Sequence, residues 1–206
     1  DRFDRTTGTY IDVFATTGLA SPGYLTFGPD GHLYVSNFGT DAVLRFNGAT
    51  GAYIDDFVAA ASGGLVDPEG LMFVNGELRV AAKAGPIKRY SATDGSYLGD
   101  FVPAGSGGIT TIAGITSGPD GNLYAAGRDT ARVKEYNGAT GAYEGNFVGA
   151  ANGGVVNPYY LTFHPNHVVD VRNSPPNAID DSRTTPEDVP IGISVRSNDS
   201  DPNGDL

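Results

Sequence analysis

The chain contains no cysteine and no tryptophan, and it has one methionine and three histidines among its 206 residues. The absence of cysteine excludes disulfides, thiol catalysis and cysteine-ligated zinc. Three histidines leave little for a histidine-rich metal centre. Charged residues are only 18% of the chain, which argues against a coiled coil. No apolar run approaches the roughly 18 residues that a membrane-spanning helix needs, so we expect no membrane insertion.

Acidic residues outnumber basic ones by 24 to 13, giving a formal net charge of −11. This charge disfavours nucleic acids and anionic membranes as partners, because both are themselves negative. No signal peptide opens the sequence, and we expect Asp1 to be a mature or excised start. Glycine, at 30 residues, is unusually frequent, yet hydrophobic residues at 39% can still fill a core.

The glycines belong to an internal repeat. A tyrosine and a phenylalanine recur together with spacings of 43, 44 and 46 residues, at Tyr10, Tyr53, Tyr97 and Tyr143 and at Phe14, Phe57, Phe101 and Phe147. A second motif recurs in step with them, in residues 24–37, 70–82 and 114–127 and, in decayed form, in 160–171. A period of roughly 40–50 residues is typical of propellers and other repeat folds.

Each unit is predicted to form four short strands. In the first complete unit these are Leu25–Phe27, His32–Ser36, Ala42–Phe46 and Ala52–Val58, separated by Gly/Pro/Asn-rich turns. Alternation in the last strand predicts that Tyr53, Asp55 and Phe57 share one face. Turn residues at intervals of 8–12 and the lack of helical periodicity indicate an all-β chain.

A single four-stranded unit of about 44 residues cannot bury both of its faces. Radial stacking of such sheets solves this problem, so we predict a β-propeller built from four-stranded blades. The recurring aromatic residues are then expected to fill the space between blades. The pairs Gly63-Gly64, Gly107-Gly108 and Gly153-Gly154 lie in the links between units and are interpreted as turn formers.

Three units are complete, and two half units remain. Residues 2–14 supply only the outer two strands of a unit, and 160–171 supply only the inner two. If these halves pair, a fourth blade closes the ring. The alternative is a piece of a larger propeller, whose unpaired edges could join a second chain.

The composition changes at Asn173. Residues 177–206 hold seven acidic and two basic residues, and Pro175-Pro176 is predicted to be a stiff linker. We therefore divide the chain into propeller repeats at 1–172 and a Pro/Asp-rich linker with a truncated module at 173–206. Alone, this tail is expected to be largely extended or disordered.

The stretch from Ser21 to Asn37 (SPGYLTFGPDGHLYVSN) resembles an NHL-type propeller repeat, and it is similar to gluconolactonase-like and streptogramin-lyase-like repeats. The resemblance covers residues 1–165 and implies the fold, whereas these families differ in their sites. The tail, with Asp180-Asp181 and the run from Asn198 to Asp205, resembles the opening of bacterial cadherin-like modules. That resemblance implies a secreted or surface-anchored protein and calcium binding.

Two candidate metal sites follow. In the tail, Asp199, Asp201 and Asn203 alternate before Gly204, with Asp205 next, which suits the oxygen ligands of Ca²⁺ once the module is complete. In the propeller, resemblance to gluconolactonase-like proteins implies Glu, Asn and Asp ligands near the axis, for which Glu69 and Asn37 are the candidates.

No catalytic residue is assigned. His32 lies in a turn, His164 and His167 lie in the decayed unit, and the chain has no G-x-S-x-G nucleophile motif. Lys83, Arg128 and Arg132 could form a small basic rim.

The favoured hypothesis is a non-enzymatic extracellular or cell-surface propeller module of a larger adhesion- or matrix-type protein, whose loops bind a protein or glycan. One alternative is a metal-dependent lactonase- or lyase-like enzyme with an incomplete site. Another is a structural spacer without a ligand.

Overall fold

A computed structural model describes residues 1–83, 85–150 and 152–163. The chain separates into two compact units, residues 1–163 and 164–206, and all described residues belong to the first. The predicted domain boundary at residue 172 and the whole predicted cadherin-like tail lie outside the described residues.

The prediction of an all-β chain is confirmed. The described part contains three four-stranded antiparallel sheets, one two-stranded pair and four single-turn 3-10 segments, with no α-helix. The two-stranded pair consists of β1 (Arg2–Phe3) and β2 (Tyr10–Asp12). Blade 1 consists of β3 (Pro22–Phe27), β4 (Leu33–Asn37), β5 (Ala42–Phe46) and β6 (Tyr53–Val58). Blade 2 consists of β7 (Pro68–Val74), β8 (Glu77–Ala82), β9 (Ile87–Ser91) and β10 (Tyr97–Val102). Blade 3 consists of β11 (Ile112–Ser117), β12 (Leu123–Gly127), β13 (Arg132–Tyr136) and β14 (Tyr143–Val148).

Within each blade, every strand pairs with its neighbour in the chain. Short turns make this possible, because their side chains bond the local backbone. Asp30 accepts hydrogen bonds from the His32 amide at 3.0 Å and from the Tyr34 hydroxyl at 2.9 Å. Blade 2 replaces this turn with Asn75-Gly76, both at positive φ, as a two-residue hairpin requires.

Aromatic residues pack between the blades, as the repeat predicts. Tyr34 of blade 1 lies edge-on to Phe57 at 5.0 Å and to Phe73 of blade 2 at 4.8 Å between ring centroids. Such pairs stabilise by about 0.5–1.5 kcal/mol beyond the area they bury. On blade 3, Tyr124 makes the corresponding contact with Phe163 at 4.8 Å. The segment 159–163 is therefore docked on blade 3 as β7 is docked on blade 1.

Blade 2 uses a different residue at this position. Arg79 replaces the tyrosine, and its guanidinium carbon lies 3.5 Å from the centroid of the Phe101 ring. The side chain is buried and also donates to the Gly138 carbonyl of blade 3 at 3.2 Å. A cation over an aromatic face thus takes the place of an aromatic pair.

The predicted face of the outer strands is wrong for Tyr53. The pairing register of β5 with β6 shifts between Arg45 and Phe46, which leaves Ile54 as an extra residue. Tyr53 consequently packs on Phe46, at 5.9 Å between ring centroids, and Phe57 packs on Tyr34 on the opposite face. A β-bulge reverses the alternation that a regular strand would keep.

The inner segments of the unit contact one another in succession. β3 packs against β7 and β7 against β11. A Cβ on Gly114 would lie 2.5 Å from the Tyr159 carbonyl, so β11 approaches the fourth segment closely. Tyr160 completes the series, because its ring lies 5.2 Å from that of Tyr24 and its hydroxyl donates to the Gly23 carbonyl at 3.3 Å.

Within the described residues, the two half units do not pair in one sheet. The sheet that contains Tyr10 consists of β1 and β2, and Leu161 belongs to no strand. The remainder of the inner half unit, 164–171, lies outside the described residues. The β1–β2 pair nevertheless has a blade-like position, because the Phe14 carbonyl faces Gly51 just as the Phe57 carbonyl faces Gly95.

The glycine pairs are turn formers, as predicted. Gly63 and Gly107 lie in single-turn 3-10 segments with φ of 60° and 64°. In blade 2, the Tyr90 hydroxyl donates to the Ser62 carbonyl at 2.8 Å, and the Lys88 ammonium donates to the Gly63 carbonyl at 2.8 Å. Lys134 and Tyr136 make the equivalent bonds in blade 3, so buried polar groups of these two blades fix the links that enter them.

Candidate functional site

One end of the inner strands carries different side chains on a repeated backbone. Where each second strand ends, a backbone amide donates to the residue that precedes the first strand. The pairs are Phe38 to Ser21 at 3.2 Å, Lys83 to Asp67 at 3.1 Å and Arg128 to Thr111 at 3.1 Å. We call this end the mouth and define it by these corner residues and by the inner-strand residues beside them. The members are Phe38, Lys83, Arg128, Ser21, Asp67, Thr111, Gly23, Glu69, Ala113 and Tyr159.

In blades 1 and 3 the opposite end repeats its side chains together with its backbone, whereas blade 2 has SATDG at 91–95 in the equivalent turn. Residues 47–51 and 137–141 share the sequence NGATG. The Asn47 side-chain oxygen accepts from the amides of Ala49 and Thr50, and Asn137 does the same in blade 3. These asparagines serve the turn itself, whereas the backbone bonds of the mouth form with quite different side chains at equivalent positions.

Glu69 lies half-buried near the start of β7, and its carboxylate faces Gly23 of β3. Burial raises the pKa of the Glu69 carboxyl above its usual value, whereas the charges of Arg128 and Lys83 lower it and that of Asp67 raises it. The carboxylate makes no hydrogen bond or ion pair with any other described residue.

Each mouth cation lies over an aromatic ring. The Lys83 ammonium is 4.8 Å from the centroid of the Phe38 ring and 3.6 Å from the Asp67 carboxylate. The Arg128 guanidinium carbon is 4.1 Å from the centroid of the Tyr159 ring. The mouth therefore combines two cations, two carboxylates and two aromatic faces.

Asn37, the second predicted metal ligand of the propeller, is engaged in folding. Its side-chain oxygen accepts from the Ala20 amide at 2.7 Å, and its NH₂ group donates to the Gly18 carbonyl at 2.9 Å and to the Thr40 hydroxyl at 2.6 Å. The side chain is fully buried. It holds the link that enters blade 1.

The predicted metal site of the propeller pairs Glu69 with Asn37. The part of the chain that the structure describes contains no group of three or more His, Cys, Asp or Glu side chains placed to hold an ion. A metal role for Glu69 and Asn37 therefore stays a prediction. The predicted calcium ligands Asp199, Asp201, Asn203 and Asp205 lie outside the described residues.

The predicted basic rim is present in part. Lys83 and Arg128 lie at the mouth, and Arg132 opens β13 opposite Gly127 at the same end of blade 3. Burial and the charge of Arg132 together lower the pKa of Lys134. His32 accepts a weak hydrogen bond from the Gly48 amide at 3.4 Å, at the opposite end. His164 and His167 lie outside the described residues.

Two features of the mouth escaped sequence reasoning, namely the role of Phe38 and the pairing of Arg128 with Tyr159. The signal was available, because Phe38, Lys83 and Arg128 each follow the end of a second strand at equivalent positions. Tyr159, which occupies the repeat position of Glu69, comes from a half unit. Only the packing of that half unit on blade 3 brings it to Arg128.

A cavity at the opposite end is smaller than a typical small-molecule site. It has a volume of about 160 Å³ and lies between Pro29 and the β7–β8 hairpin. Small-molecule sites usually measure about 300–1,000 Å³.

Among the described residues, no helix is long and apolar enough to cross a membrane.

Comparison with known proteins places the fold. No protein-family model and no curated protein matches the sequence. Among solved structures, glutaminyl cyclase from Myxococcus xanthus is 17% identical, with a TM-score of 0.51, over 65% of this chain and 55% of that chain. A nidogen/laminin complex gives 19% identity and a TM-score of 0.52 over 68% and 52% of the two chains. The WD40 repeats of RRP9 are 15% identical, with a TM-score of 0.52, over 67% of this chain and 41% of that chain.

The chain spans about half of these proteins or less. At such identities the likeness concerns the fold alone. Together with the three four-stranded antiparallel blades, it shows that the chain has a β-propeller-type repeat fold.

Proposed function

We propose that this chain is a non-enzymatic β-propeller module of a larger extracellular adhesion- or matrix-type protein, and that its mouth binds a protein or glycan. One observation carries the proposal: equivalent backbone positions of the repeat hold Phe38, Lys83 and Arg128, which differ in size, charge and hydrogen-bonding capacity. Binding residues typically lie on loops that a rigid scaffold positions.

The unpaired groups of the mouth support the same proposal. Glu69 and the Arg128 side chain form no hydrogen bond with another described residue, although each lies within electrostatic reach of the other. Both side chains are only partly buried, so a ligand can take the place of the water that solvates them in the free protein. The structure of the nidogen/laminin complex adds a precedent for a similar fold within a protein complex.

The extracellular location and a calcium role rest on the resemblance of residues 173–206 to cadherin-like modules. Asp199, Asp201, Asn203 and Asp205 would supply oxygen ligands for Ca²⁺ in a complete module. A chain that extends past Leu206 should then melt at a higher temperature in millimolar Ca²⁺ than in a chelator. Equal melting temperatures would count against the calcium role.

The mouth proposal is tested with a panel of purified matrix proteins and polysaccharides immobilised for biolayer interferometry. Arg128→Ala should weaken binding of any genuine ligand by about tenfold or more, the loss expected for a central charged contact. Arg5→Ala is the matched control, because it removes the same charge from the exposed β1–β2 turn at the opposite end. Equal losses in both variants, or no binder in the panel, would contradict the proposal.

A further inference from the structure

Charges of both signs lie close together at the mouth, although the whole chain carries −11. Lys83 and Arg128 are positive, Asp67 and Glu69 are negative, and three further charged residues lie at the same end of the blades, namely Asp41, Asp129 and Arg132. A ligand with a strong net charge would satisfy one sign and repel the other, because like charges brought together cost several kcal/mol. The mixture of signs favours a neutral ligand.

The free hydrogen-bonding groups of the mouth are of both kinds. Elsewhere in the chain, Arg45 forks onto Asp55, with Nε and Nη2 each donating to a carboxylate oxygen, and Arg89 forks onto Glu77 in the same way. The five N–H donors of Arg128 and the oxygens of Glu69 have no such partner among the described residues. Hydroxyls and amides can both donate to a carboxylate and accept from a guanidinium, and a hydroxyl does so with a single oxygen atom.

Aromatic faces complete the arrangement. Tyr159 is 44% exposed, and Phe38 is half-buried beside Lys83. An aromatic face carries partial negative charge, so it attracts the weakly positive C–H groups of a flat saturated ring. Sugar rings present such C–H faces, with hydroxyls around their rims.

We propose that the mouth binds a neutral oligosaccharide, with a sugar ring on the exposed part of Tyr159 and its hydroxyls bonded to Arg128 and Glu69. This inference rests on the proposed function, since it names the ligand class of the same mouth. A peptide is the competing class, and the exposed ring of Tyr159 beside groups that can bond hydroxyls favours the sugar.

The test is saturation-transfer NMR and titration calorimetry with cellotetraose, xylotetraose and mannotetraose, each compared with the acidic trigalacturonate and the basic chitosan trimer. At least one neutral sugar should bind at least tenfold more tightly than both charged ones. Tight binding of a charged sugar, or no binding of any of the five sugars, overturns the assignment.

Matched variants locate the contact. Tyr159→Ala should weaken binding of the best neutral sugar by about tenfold, whereas Tyr159→Phe, which keeps the ring, should retain most of it. Glu69→Gln should weaken it by several-fold, and Arg5→Ala should leave it unchanged. Melting curves confirm that each variant is folded.

The outcome for the sugar is separable from the proposed function. If no sugar binds but a protein of the panel binds and loses affinity in Arg128→Ala, the ligand class is wrong and the mouth is still a binding surface. If a sugar binds and the mouth variants leave its affinity unchanged, the site lies elsewhere and both proposals fail.

Discussion

Replacing Asn146 by aspartate should stabilise the protein, because it would give a buried lysine the carboxylate that its counterpart already has. In blade 2, Lys88 lies opposite Asp100, with the ammonium 3.0 Å from a carboxylate oxygen. In blade 3, the equivalent Lys134 lies opposite Asn146. Lys134 is buried and donates to the Gly107 carbonyl at 2.7 Å. Burial, together with the charge of Arg132, lowers its pKa, while Asp129 opposes that change.

The size of the effect follows from the blade 2 pair. At 3.0 Å and an effective dielectric constant of about 20, the bare attraction would be about 5 kcal/mol. Asp100 is 38% exposed, so water screens most of this attraction, and exposed pairs retain only about 0.2–1 kcal/mol. Because Lys134 itself is buried, we expect the upper end for Asn146→Asp, about 1 kcal/mol. That corresponds to a rise in Tm of roughly 2–4 °C for a chain of this length.

The pH dependence has a defined sign. A lysine whose folded pKa is lowered binds fewer protons when folded, so the wild-type protein gains stability as pH rises through that folded pKa towards the unfolded value of about 10.4. In Asn146→Asp the pKa of Lys134 should move up and this gain should shrink. The added stability should also vanish in acid, where the new carboxyl is protonated.

Urea unfolding at pH 7 and at the two extremes measures these differences. Asp100→Asn should destabilise by about 1–2 kcal/mol, because it leaves Lys88 buried without its carboxylate. Asp56→Asn is the control, since Asp56 lies opposite Leu44 and has no lysine to lose. A destabilised or unchanged Asn146→Asp, or equal losses in Asp100→Asn and Asp56→Asn, would refute the reasoning.

Two further outcomes are expected. Gly63→Ala should lower the free energy of unfolding by about 2–3 kcal/mol, since its φ is 60° and a new Cβ would lie 2.3 Å from the Tyr97 ring. The control is Gly64→Ala, where φ is 74° and the space around the glycine is open. It should lower the free energy of unfolding by only about 1 kcal/mol in the same urea experiment. If the two losses are equal, ring contact does not explain the glycine at position 63. Burial raises the pKa of Tyr34 to about 12. Since the folded state then holds this proton longer than the unfolded state does, stability should fall as pH rises above about 10, and ultraviolet titration of Tyr34→Phe should lose a late-ionising tyrosine. Loss of an ordinary tyrosine that ionises near pH 10 would show that burial has no such effect.

Much of the fold was predictable because turn-forming residues recur between the strands of each repeat. Turns such as Asn75-Gly76 require positive φ, and Asn and Gly adopt it readily, so hairpins could be placed from local chemistry. The side of the strand on which Tyr53 lies could not be obtained in this way. It depends on a bulge that arises from pairing with β5, and alternation within a single strand contains no information about its partner.

The mouth was predictable only in outline. Repeat alignment singled out Glu69, but Asn37 looked like a ligand when its amide in fact holds the backbone of residues 18 and 20. A buried asparagine engaged by distant backbone and a ligand asparagine look alike in sequence, because their difference lies in what folding brings to them. The contact of Arg128 with Tyr159 likewise depends on packing between different blades.

The hydrogen bond between Tyr160 and Gly23 bears on the order in which the blades fold during synthesis. The Tyr160 hydroxyl bonds the Gly23 carbonyl across 137 residues of chain, whereas each strand pairs with its neighbour in sequence. A ribosome adds roughly 5–20 residues per second and so spends seconds on a blade, while a hairpin forms in about 1–10 μs. Blades should therefore fold one after another during synthesis, and the first blade should wait for its last contact until Tyr160 has emerged.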